Sequence, residues 1–186
     1  MMKKKHISIL FLTFFLAISL LTPKQNVLAA KQNVTKTFKD KKKIEKIFGE
    51  SRDLLGVYTF YKLAPKKKVT LDFSKDSHRR KFMEYTYSKY GRLSLKRQQS
   101  LSKGLFGKTV SKKATQFMGD WGCSWPVSKI NKIYKISANT YQVSATVYQK
   151  DGETKKLTKE GTAVFTLKKS SKAKYGYYIT KLTIAG

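Results

Sequence analysis

The sequence predicts one α+β domain, helices first and a run of long antiparallel strands after them, preceded by a removable export segment. Three observations predict it. Apolar residues from Ile44 to Leu55, and again Met83, Tyr87 and Tyr90, recur at three- and four-residue spacing, the period of a half-buried helix. Apolar residues between Ile130 and Ile184 alternate, the period of a half-buried strand. The first 21 residues join a lysine-rich start to an apolar run. Setting residues 1–30 aside leaves 156 of 186, enough for one domain with a real core. An apolar fraction of 40% and an aromatic fraction of 13% argue against disorder.

The export segment opens with Lys3, Lys4 and Lys5. Ile7 to Leu21 is apolar apart from Ser8, Thr13 and Ser19, and Thr22-Pro23 ends any helix there. Val27-Leu28-Ala29-Ala30 offers the small residues of a cleavage site, so residues 1–30 are expected to be a signal peptide. The competing reading is a retained anchor. Fifteen residues (7 to 21) fall short of the roughly 20 that span a bilayer, which favours cleavage. No Cys follows the apolar run and no sorting motif ends the chain, so a secreted product without a covalent anchor is expected. Residues 31–36 are polar and read as a flexible lead-in to a domain over 37–186.

Thr37-Phe38-Lys39-Asp40 fits a capping box, and Ile44, Ile47, Phe48, Leu54 and Leu55 continue a helix toward Gly56. Val57 to Leu63 has strand composition, and Val69, Leu71 and Phe73 alternate. The two are expected to form a hairpin across Ala64–Lys67. Asp76 or Ser77 can cap a helix to Tyr90, stopped by Gly91. Met83, Tyr85 and Tyr87 also alternate as a strand would, but length and the terminal Gly favour helix. Ser94 to Leu105 is a further helix, closed by Gly104 and Gly107.

Beyond Lys108 the pattern changes to strands. Ile130, Tyr134 and Ile136 are expected on one face, then Tyr141, Val143, Ala145 and Val147. Asp151-Gly152 signals a hairpin turn, followed by Ala163, Phe165 and Leu167, and by Tyr178, Thr180, Leu182 and Ile184. On this reading Val143, Val147, Phe165 and Leu182 pack against Ile44, Ile47 and Phe48. Tyr148 and Tyr177 fall off the inward faces and become the rings expected at the surface.

This order of helix, hairpin, helices and meander resembles the NTF2-like (cystatin-like) superfamily over about residues 37 to 186. The resemblance implies N-terminal helices packed on a strongly curved sheet that forms a cone with a pocket. That fold hosts binding modules and some enzymes and does not choose between them.

Chemistry-bearing residues are sparse. Asp120, between Gly119 and Trp121, could act as a base if the rings of Trp121 and Trp125 raised its pKa. The resemblance implies that an acid in the cone does such work. The plainer expectation is that the Trp residues supply buried area while Asp120 binds backbone amides. Asp120, Trp121, Trp125 and Tyr87 are the candidates for a ligand pocket. Cys123 and His78 lack the third group that a thiol protease site requires, and His78 is expected to face solvent. A single Cys excludes a disulfide framework and any cysteine zinc cluster. No carboxylate pair, calcium loop, phosphate-binding Gly loop or HExxH motif occurs, so no catalytic residue, metal or cofactor is expected.

The charge is the strongest signal. Four Lys (Lys3, Lys4, Lys5 and Lys24) lie in the leading segment, leaving 36 basic against 11 acidic residues, a net +25. Such a field attracts polyanions. The candidate contacts are Lys66, Lys67, Lys68, Arg79, Arg80, Lys168, Lys169, Lys172 and Lys174. Export and the small share of Arg, five of 40 basic residues, argue against nucleic acid, whose readers favour the bidentate guanidinium. The expected function is a non-catalytic module held electrostatically to an anionic cell-wall polymer or membrane surface. The alternatives are a small-ligand or glycan pocket protein and, behind it, an enzyme using Asp120. A coding bias toward Lys would leave solubility as the only consequence of the charge.

Overall fold

The computed structural model describes residues 31–57, 68–85, 93–115 and 124–186, all within the compact unit Lys31–Gly186. The expected signal peptide and the strand at Val57–Leu63 therefore lie outside the described residues, except that Val57 ends a helix. The elements in order are β1 (Gln32–Asn33), α1 (Lys41–Val57), β2 (Lys68–Asp72), α2 (Asp76–Tyr85), α3 (Leu95–Phe106), β3 (Ser124–Ser137), β4 (Thr140–Asp151), β5 (Leu157–Lys169) and β6 (Tyr177–Ala185).

The strands form one six-stranded sheet in the order β1-β3-β4-β5-β6-β2, antiparallel at every pairing. This corrects the expected cone of N-terminal helices on a curved sheet. Among the described residues the sheet is open, with β1 and β2 as its two edges. The helices do not form a leading block either, since β1 precedes α1 and β2 separates α1 from α2. Beyond Val57, the expected hairpin partner of β2 lies outside the described residues, so that pairing is not tested. β2 pairs with β6, matching Val69 to Ile184 and Leu71 to Leu182, so two alternating apolar sets meet on one face.

One sheet face makes the core. Ile133, Val143, Ala145, Val147, Phe165, Leu182 and Ile184 are buried there together with Ile44, Ile47 and Phe48 from α1. Phe48 meets Phe165 edge to face at 4.7 Å. Behind β2, Phe73, Phe82 and Phe106 form a second aromatic cluster, Phe73 stacking on Phe106 at 4.2 Å.

Local chemistry explains the ends of the helices. Ser94 accepts the amide of Arg97 at the start of α3. Gly104 does not close that helix. Gly107 does, at φ 75, where its amide donates to the Lys103 carbonyl. At α1 the Asp40 carbonyl accepts the amide of Lys43, but the Asp40 carboxylate turns elsewhere. Thr37 donates to the Val34 carbonyl, so the expected capping box does not form.

Bulges decide which residues face the core. An extra residue at Asn131 shifts the β3–β4 register between Ile130 and Lys132. Ile133 is therefore the buried residue, and Tyr134 turns outward. A second shift near Thr180 lies between Thr166 and Leu167 of the β5–β6 pairing. It puts Tyr177 and Ile179 inside, so Tyr177 is only 2% exposed where a surface ring was expected. The Asp151 turn joins β4 to β5 as expected, with a longer loop. The Asp151 carboxylate accepts the amides of Glu153 and Thr154, which lowers its pKa, the Thr154 amide being the first cause.

Candidate functional site

The residues expected to form a pocket fall mostly outside the described segments. Asp120, Trp121 and Tyr87 lie there, as do Cys123, Lys66 and Lys67. Trp125 is described in backbone only, as a β3 residue paired with Lys150. Lys68, Lys168, Lys169, Lys172 and Lys174 are exposed.

Arg79, expected at the surface, is buried at 6% exposure. Its guanidinium donates to the carbonyls of Phe73, Ser74 and Thr109, tying α2 to the two segments beside it. Arg80 is half-buried and pairs with Asp76 at 3.0 Å. Burial pushes Asp76 up, but Ser111 and the two arginines outweigh it and hold the carboxyl below its usual pKa. His78 is half-buried as well, and its Nδ1 accepts the Asp72 amide at 2.8 Å. These residues serve the fold.

A cleft of about 300 Å³ opens at the end of the sheet where β3 and β5 finish and β4 and β6 begin. Its aromatic wall is Phe38, Tyr141 and Tyr177, with ring centroids 5.2 to 6.2 Å apart. Lys39, Lys135 and Lys169 also line it, all with exposed side chains. They come from three distant parts of the chain. Register explains two of them, because Lys135 stands opposite Tyr141 across β3–β4 and Lys169 opposite Tyr177 across β5–β6.

Asp40 is the acid in this cleft and is already engaged. The Tyr177 hydroxyl donates to it at 2.7 Å, and Lys43 pairs with it at 3.0 Å. The Tyr177 bond, then the Lys43 contacts, lower the Asp40 pKa. Burial and the same carboxylate raise that of Tyr177, so the phenol stays protonated and acts as a donor. Chemically the dyad anchors α1 to β6. The proton it shares is held, which suits binding better than proton transfer.

The sheet face away from the core has another character. By register it carries Lys68, Lys129, Lys132, Lys150, Lys159, Lys168 and Lys181, with Asp72 as the acid among the residues so placed. Between them lie hydroxyl and amide groups. Thr70 meets Thr183 at 3.0 Å and Asn131 donates to Thr146 at 2.8 Å. Lys129 sits over the Tyr148 ring at 5.1 Å. Every one of these side chains is half-buried or exposed.

Both features escaped a reading by basic runs. Lys39 and Lys169 belong to recognisable runs, but Lys129, Lys132, Lys159 and Lys181 are scattered in sequence. The available signal was that single Lys residues occupy outward positions on several strands, which shows only when the strands are read side by side. Among the described residues, no group of three His, Cys, Asp or Glu could hold a metal ion, and no helix is long and apolar enough to cross a membrane. No family model, curated protein or solved structure matches the chain.

Proposed function

We propose that this protein is an exported, non-catalytic binding module whose open sheet face associates electrostatically with anionic polymers of the cell envelope. The observation that carries the reading is the face itself, seven lysines against one aspartate on adjoining strands. An array of ammonium groups neutralises a repeating polyanion through many weak contacts, each releasing counterions. Lys serves here as a point charge, and the sparse Arg argues against recognition of individual bases or phosphates by bidentate geometry.

The hydroxyls around the lysines fit a hydrated polymer. They offer donors and acceptors to a chain of hydrated, charged groups. The N-terminal segment supports export by its composition, and the mature chain would then start at Ala30 or Lys31.

Binding of purified mature protein to teichoic acid at low ionic strength tests the reading. Wild type should bind, and a Lys129→Gln/Lys132→Gln/Lys181→Gln variant of unchanged stability should bind at least tenfold more weakly. Equal binding by the two would remove the sheet face as the contact surface.

A further inference from the structure

The cleft beside Asp40 shares no lysine with the surface just proposed, and its chemistry is different. Three ammonium groups, on Lys39, Lys135 and Lys169, border an opening of about 300 Å³ that also has an aromatic wall. The carboxylate present, Asp40, is held by the Tyr177 hydroxyl and Lys43, and it offsets one positive charge at most. Lys39 and Asp40 immediately precede α1, so the positive end of a 17-residue helix adds to the field at the same place. An occupant should therefore carry more than one negative charge. Phe38 and Tyr141 are half-buried, leaving ring surface at the opening. Rings beside a cationic rim favour a compact ligand with a C–H face, since such a face packs on an aromatic side chain while a free anion does not.

We propose that this cleft binds a phosphate monoester carried on a sugar or polyol, the phosphate held by Lys39, Lys135 and Lys169 and the carbon skeleton lying on Phe38 and Tyr141. A monoester carries about −1.5 to −2 at neutral pH, which suits three lysines, the Asp40 charge being already offset by Lys43, better than the single charge of a diester or a carboxylate does. Tyr177 is a positioning residue. Its bond to Asp40 fixes the ring against which Phe38 and Tyr141 pack.

The test is calorimetric titration of the mature protein with glucose 6-phosphate, inorganic phosphate and glucose, with amide shifts of Lys39, Tyr141 and Tyr177 followed by NMR. Glucose 6-phosphate should bind at the cleft, inorganic phosphate more weakly, and glucose not measurably. Lys135→Gln/Lys169→Gln should lower the affinity for glucose 6-phosphate by about tenfold or more, the loss of charge-assisted hydrogen bonds. Tyr141→Ala should bring glucose 6-phosphate down to the level of inorganic phosphate. Should that variant unfold, the ratio of the two ligands on wild type still decides the point. Binding of glucose 6-phosphate no tighter than inorganic phosphate, or unchanged in the double Lys variant, overturns the proposal.

A glycerol phosphate oligomer with and without its terminal monoester distinguishes the source. Cleft shifts that vanish on dephosphorylation assign a polymer end, and shifts from glucose 6-phosphate alone assign a free sugar phosphate. The sheet-face variant Lys129→Gln/Lys132→Gln/Lys181→Gln should keep full affinity for glucose 6-phosphate. Cleft binding and polymer binding thus succeed or fail separately.

Discussion

Tyr177 and Asp40 are 137 positions apart in sequence and share the hydrogen bond that closes α1 onto β6. Tyr177→Phe keeps the ring and removes the donor. It should cost about 1 to 3 kcal/mol, because the bond is to a charged group and the carboxylate keeps only Lys43. Urea denaturation of the two proteins measures this. The pair also sets two pH limits. Asp40 has a lowered pKa in the fold, so its contribution is present above the ordinary carboxylate range and is lost as pH falls through the folded value. Tyr177 has a raised pKa, so its contribution is complete below about pH 10, the unfolded value, and is lost as pH rises beyond it. The stability profile of Tyr177→Phe should therefore lack the alkaline loss due to this phenol. An unchanged alkaline limb in the variant would show that the Tyr177 bond does not contribute.

At the level of elements, bulges govern the sheet. Gly161 follows Glu160 at the register shift between β4 and β5, and a Cβ on it would collide with the Ala185 carbonyl oxygen. Gly161→Ala should destabilise by about 1 to 3 kcal/mol by forcing backbone apart, whereas Gly49→Ala, with open space around it, should be neutral or stabilising. Thermal unfolding of the two variants distinguishes these outcomes. Val143 is fully buried at the centre of the sheet, and Val143→Asp should cost several kcal/mol or prevent folding. Alternation made this part of the core legible in the sequence. Val143, Val147, Phe165 and Leu182 face Ile44, Ile47 and Phe48 as expected. Alternation failed where a bulge adds one residue, because the period then reverses. That is why Ile133 replaces Tyr134 in the core and Tyr177 moves inside, hiding the cleft. The β2–β6 pairing was not legible for another reason: matching Leu71 to Leu182, it joins segments more than 100 residues apart, and no local pattern signals it. The Asp120–Trp125 stretch and Tyr87, on which the expected pocket rested, gave no test of it, since their side chains lie outside the described residues.

Over the whole molecule, the charge is distributed by the fold in a way its runs do not reveal. Lys residues scattered over five strands are collected on one face, while Arg79, the centre of a basic run, is buried among carbonyls. The central claim is that this face meets a polyanion, and salt dependence tests it most directly. Affinity for teichoic acid would be measured across a fourfold range of salt for wild type and for Lys129→Gln/Lys132→Gln/Lys181→Gln. The logarithm of affinity should fall linearly with the logarithm of salt, with a slope near the number of charges neutralised, as the slope of about −0.9 per phosphate contact does for duplex DNA. The variant should show a slope shallower by about two to three. Binding that does not respond to salt, or a variant slope equal to that of wild type, would contradict the account.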